Sequence, residues 1–229
     1  MTGLLALLGL CAAGVGAAGL AAAAGRHPTQ AQITAAGQRE QAVLWERLSA
    51  GQIFPSSVSY MNTLGAETKA TLVGIAPQAP CRDAVDAKAA PLLAAADCVT
   101  MLRATYADAS GTALATVGIA VLPTSAAAAT AMGKLAVSGG GLLPLSFPGT
   151  IASVFTSRAR ETYAVQAVAG PYLFLYAVGY ADGRSTTLAS QDNYMSETVT
   201  TDLATYLVTS LVNTFRVPAN PCDDRSIRC

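Results

Sequence analysis

Histidine and charge are scarce in this chain. Of its 229 residues one is histidine, one is tryptophan and 12% are charged. The single histidine, His27, lies beside an apolar N-terminus, so neither a His-based catalytic triad nor a multi-histidine metal site can be built within one chain. Fourteen basic residues balance fourteen acidic ones, and no window concentrates lysine or arginine. The clustered positive charge that grips nucleic-acid backbones is therefore missing. The nucleotide motifs fail as well. Gly133-Lys134 is followed by Leu135 and has no glycine five residues earlier, and Gly139-Gly140-Gly141 lacks dinucleotide-loop spacing. No Gly-x-Ser-x-Gly elbow occurs. Asp83, Asp86 and Asp97, and likewise Asp223 and Asp224, lack the spacing of a calcium loop and read as solvated carboxylates. No catalytic residue, cofactor or metal is expected.

What the chain has is apolar mass. Hydrophobic residues make up 52% of it, with a mean hydropathy of +0.41. That excludes a disordered chain and allows one sizeable core plus an anchor. Residues 3–25 carry no charge, and at 1.5 Å rise per residue they are long enough to cross a bilayer core of about 30 Å. They read as a membrane span, with a cleaved signal ending near Ala22-Ala23-Ala24 as the rival. Arg26 and Arg39, by charge alone, place the following domain inside. Four further cysteines form two local pairs, Cys81 with Cys98 and Cys222 with Cys229, and this even count suits an oxidising compartment; buried free thiols are the alternative. The cysteines weigh more, because the charge bias is a residue or two. The expected location is the cytoplasmic membrane with an extracytoplasmic C-terminal domain, or a secreted domain if the segment is cleaved.

The expected organisation is an anchor over 1–25, a helical stalk over 26–51 ended by Gly51, a domain over 52–217, and a tail over 218–229 closed by Cys222 and Cys229. Within the domain, hydrophobic periodicity predicts a strand over 69–76 and a helical 82–96 segment broken at Pro91. A hairpin of 99–108 with 112–122, a helix over 124–137, a hairpin of 158–169 with 172–182 and a helix over 192–215 follow. The class is α+β: an antiparallel sheet of two hairpins plus one strand, packed with helices. The 81–98 segment must double back, since one straight helix would hold its cysteines about 20 Å apart and a disulfide needs Cα atoms within about 7 Å. Tyr106-Ala107-Asp108 and Tyr180-Ala181-Asp182 echo each other; they mark either two related strand–strand–helix units with helices on a face, or common turn chemistry.

The run Leu44-Trp45-Glu46-Arg47, then Ile53-Phe54-Pro55, Cys81, and Cys98 followed by Leu102-Arg103-Ala104-Thr105-Tyr106, resembles uncharacterised exported, single-span proteins of actinobacteria. The layout is similar to small extracytoplasmic sensor or binding domains with two disulfides, such as those of mycobacterial kinases and lipoproteins. That resemblance implies location and layout and brings no catalytic residues.

Two features point to recognition. Tyr172, Phe174, Tyr176 and Tyr180 alternate onto one face of a strand whose other face is also apolar, which describes a covered central strand or an aromatic face open to a partner. Leu142, Leu143 and Phe147 lie in a glycine- and proline-rich loop over 138–150, to be folded over the core or docked on a partner. The expected function is a non-catalytic, membrane-anchored binding, sensor or accessory subunit of a cell-envelope complex, with a protein partner and no nucleic acid. A small envelope hydrolase using Ser or Asp, and a structural spacer, are the alternatives.

Overall fold

The computed structural model describes residues 27–62, 64–157, 160–184, 193–224 and 226–228, and the side chains of all these except 160–167 and 193–201. The 3–25 segment and Cys229 lie outside the described residues. Among the described residues no helix is long and apolar enough to cross a membrane. The chain forms two compact units, Gln38–Val217 and a smaller one holding the described parts of Met1–Gly37 and Pro218–Cys229. The division falls within helix α1 (Gln30–Arg47).

The larger unit is α+β, with a six-stranded antiparallel sheet in the order β1-β2-β3-β4-β6-β5. Its strands are β1 (Ser57–Met61), β2 (Glu67–Ile75), β3 (Thr100–Ala107), β4 (Ala113–Val121), β5 (Arg160–Ala169) and β6 (Tyr172–Tyr180). The two expected hairpins are present, but β1 makes the remainder a third hairpin instead of a single strand. Ser57-Val-Ser-Tyr-Met alternates correctly, with Val58 and Tyr60 buried; it is merely too short, after Pro55, to stand out.

Residues of β4 and β6 are buried on both sides, so both faces of the sheet need a cover. On one face Ala115, Val117, Ile119, Phe174, Tyr176 and Val178 pack under Leu203, Leu207, Val208, Leu211 and Phe215, which belong to or follow α6 (Asn193–Thr214). The sheet curls around this helix, which touches β1 on one side and β5 and β6 on the other. On the second face Met101, Leu173, Leu175 and Ala177 meet α3 (Cys81–Ala84), α4 (Ala90–Ala94) and α5 (Ser125–Ser138). Helices thus lie on both faces, not one. Together with the mismatch of strands, Asp108 ending a first strand and Asp182 a second, this removes the duplicated-unit reading. The echo is turn chemistry: Asp108 accepts backbone N–H groups from Ser110, Thr112 and Ala113, and Asp182 accepts that of Arg184.

Local rules account for the shifted boundaries. Helix α1 stops at Arg47, and Ser49 with Gln52 forms a capping box that starts α2 (Ala50–Ile53), so Gly51 lies inside a helix instead of ending one. The 82–96 segment breaks before Pro91, which sits in the first turn of α4 where its missing N–H costs nothing. Asp97 then takes the left-handed conformation (φ 53°), and Cys98 donates its N–H back to the Leu93 carbonyl. This return is what brings Cys98 within reach of Cys81. Thr124 caps α5 by accepting the Ala127 N–H at 3.0 Å.

The 142–147 segment belongs to no strand, touching the 81–89 segment through a single bridge of Leu142 with Val85, yet lies across the second face. Two fully buried threonines hold it. The Thr105 hydroxyl donates to the Leu145 carbonyl at 2.9 Å, so its oxygen is left to accept from Thr116 at 2.8 Å, and Thr116 in turn accepts the Leu145 N–H at 3.0 Å. Each donor and acceptor in this ring is used. Thr116→Val removes the acceptor for a buried N–H and is expected to lower unfolding free energy by about 1–3 kcal/mol. A urea midpoint that falls at constant m-value is the check, with Thr116→Ser retaining most of the stability.

Candidate functional site

The β6 aromatics, read from the sequence as either a covered central strand or an open aromatic face, are mostly inside the protein. Tyr172 and Phe174 are fully buried and Tyr176 is 5% exposed; only Tyr180, at the end of β6, reaches the surface in part. The cover comes from two helices. Phe215 packs its ring 4.3 Å from Tyr172 and 6.0 Å from Phe174, while Leu44, Trp45 and Leu48 of α1 pack on the same cluster. The Tyr172 hydroxyl donates to the Gln41 carbonyl and accepts the Trp45 N–H at 3.3 Å. These are the two groups that a regular helix pairs with each other across one turn. At the outer end, the Arg184 guanidinium stacks 4.3 Å from the Tyr180 ring and bonds Asp182 at 2.8 Å. Tyr172 and Tyr176 therefore belong to the covered core, and Tyr180 closes the outer end of β6 against Arg184.

The 138–150 loop likewise packs inward. Leu142 is fully buried, Leu143 is half-buried and donates its N–H to the Ala84 carbonyl, and Phe147 packs on the small cluster of Leu114, Ala152 and Phe155. Two glycines make room. A Cβ on Gly118 would stand 2.7 Å from Leu142, and one on Gly74 would stand 2.6 Å from the Phe147 ring. The loop is apolar because it fills these notches. Asp86, expected to be solvated, instead ties the loop down: its carboxylate accepts N–H groups from Lys88, Ala89 and Gly141.

Cys81 and Cys98 form a disulfide with Cα atoms 6.2 Å apart. Cys222 is also disulfide-bonded, and its expected partner Cys229 lies outside the described residues. Among the described residues no group of three or more His, Cys, Asp or Glu side chains is placed to hold a metal ion.

Two grooves meet at Pro123, Thr124 and Ala126. One, of about 420 Å³, runs between Leu92, Ala96 and Asp97 on one side and Thr130 and Lys134 on the other. The second, of about 400 Å³, is bounded by Gln38, Ala42, Ser125 and Pro171. Their walls are mostly alanine and proline, with an acid and a base in the first. A different chemistry appears on β3. Arg103 is a half-buried arginine in a strand otherwise filled with apolar residues and threonine, and its Nε is buried without a hydrogen-bond partner. Burial lowers its pKa, against a smaller opposing pull from Asp83. Its sequence signal was a lone charge inside an apolar strand.

Burial pushes the Tyr172 phenol from 10.0 up to about 12. A folded-state value above the unfolded one gives stability that is whole below about pH 10 and is lost as pH rises toward 12. Unfolding free energies measured from pH 7 to 12 should fall across that window. Tyr172→Phe should lessen the fall, the rest coming from the buried Tyr106 and Tyr60, while costing about 1 kcal/mol at neutral pH. Gly74→Ala, by displacing Phe147, is expected to cost about 1–3 kcal/mol in a urea titration. The chain matches no protein-family model, no curated protein and no solved structure.

Proposed function

We propose that this protein is a non-catalytic accessory or sensor domain of a cell-envelope complex, held outside the cytoplasmic membrane by its 3–25 segment. The observation that carries the reading is the Cys81–Cys98 disulfide. Disulfides persist in oxidising compartments and are rare in reducing ones. This one closes the layer over the second sheet face, since the cysteines bracket α3 and α4. An uncharged segment of membrane-spanning length upstream supports tethering.

A structural spacer is the second reading, and one observation favours it: the aromatic side of β6 is closed by α6 and α1. The compartment is tested by non-reducing peptide mapping on protein taken from its native membrane with thiols alkylated during lysis. The expected result is a linked peptide containing Cys81 and Cys98. Alkylated thiols at both positions would overturn the extracytoplasmic assignment.

A further inference from the structure

The groove of about 420 Å³ runs along α5 and carries its two charges at opposite ends. Ala127, Thr130 and Lys134 fall on one side of α5 at three- and four-residue spacing, facing Leu92, Ala96 and Asp97. The floor is apolar: Ala131 is 1% exposed, and Leu92, Ala96 and Ala127 are half-buried. The Val99 N–H donates to the Val121 carbonyl, which leaves Asp97 beside the Pro123–Thr124 start of α5. Lys134 lies about 15 Å further along the helix axis, at 1.5 Å per residue from Thr124. Side chains on a helix lean back toward its N-terminus, so the ammonium reaches to about 10 Å from the Asp97 end. Both charged residues are exposed, and among the described residues neither takes part in an ion pair.

Small-molecule sites are typically clefts of about 300–1,000 Å³ with apolar walls and a few placed polar groups, and this groove meets that description. We propose that it binds a short unblocked peptide in extended form, with the peptide's ammonium on Asp97 and its carboxylate on Lys134, an inference that rests on reading the domain as a sensor. Length decides the ligand. An extended chain rises about 3.3 Å per residue, so three residues span a gap of about 10 Å. A single amino acid reaches only one end and leaves its other charge over alanine. Sign decides the direction. The N-terminus of α5 carries about half a positive charge, which opposes an ammonium there, but Asp97 brings a full negative charge to the same end. Thr130, between the two ends, offers a hydroxyl to the peptide backbone. Alanine at 96, 127 and 131 leaves room for methyl-sized side chains along the floor and gives them apolar contact.

The test uses the full chain in detergent micelles, with the backbone amide shifts of 126–134 followed as trialanine, N-acetyl-trialanine or trialanine amide is added. Trialanine is expected to saturate with a Kd on the order of 1 mM. Each blocked form is expected to bind about 2–5-fold more weakly, the range of one exposed charge pair. Asparagine also accepts the left-handed backbone at 97 (φ 53°), so Asp97→Asn keeps the turn and should bind trialanine and its acetyl form equally. Lys134→Met should bind trialanine and its amide equally. No saturable shift over 126–134 by about 20 mM peptide overturns the proposal. Equal binding of the three peptides by wild type overturns it too, as does an acetylation penalty that survives in Asp97→Asn or an amidation penalty that survives in Lys134→Met. Peptide mapping of Cys81 and Cys98 reads the compartment independently, so a failed titration leaves that result standing.

Discussion

Strand β6 is apolar on both faces, and the rest of the structure answers to that condition. Tyr172, Phe174, Tyr176 and Val178 point one way; Leu173, Leu175 and Ala177 point the other. A fully buried side chain of this size contributes roughly 1.5–3 kcal/mol only if water is excluded from it, so neither face can be left open. The first is closed by a long C-terminal helix and by α1. The second is closed piecemeal, by two four- to five-residue helices, one alanine-rich helix and an irregular segment. That patchwork needs extra fastening. It receives a disulfide at Cys81, the Asp86 carboxylate, and the threonine ring at Leu145.

Most of the secondary structure was legible because its signals are local. The alternation of β6, the hairpin turns at 109–111 and 170–171, and the Thr124 cap are written within a few residues each. What escaped depends on distant segments. Nothing near Ser57 says that β2 will accept it as a partner. The sequence of 138–150 states that the loop is apolar and glycine-rich, but the notches that receive it are Gly74 and Gly118, far away in the chain. The break before Pro91 was misplaced for a local reason, because proline ends one helix and begins another with equal ease.

The β6 aromatics left two readings open in the sequence for one physical reason. A tyrosine carries a large apolar body and a polar tip, and pattern alone does not say whether the tip meets water, a partner or the protein's own backbone. Tyr172 and Tyr106 both spend their hydroxyls internally, Tyr106 on the Pro55 carbonyl at 2.9 Å. Arg103 poses the converse case, a charge within a run of residues that reads as a core strand. A pattern reader averages such a charge away. The energetic reader asks why it is tolerated, and that question needs the burial of one nitrogen atom, which no window of sequence contains.

The Tyr172 hydroxyl sits between Gln41 and Trp45, at a rung of the α1 ladder. Side chains inserted at such a rung are where helices bend. The joint has a mechanical meaning. Apolar contacts slide past one another with little change in energy, whereas a hydrogen bond weakens steeply once its angle is lost. The 38–47 part of α1 is thus joined to β6 by one stiff, directional coupling with softer apolar contacts around it, so that removing the phenol leaves an attachment with no preferred angle.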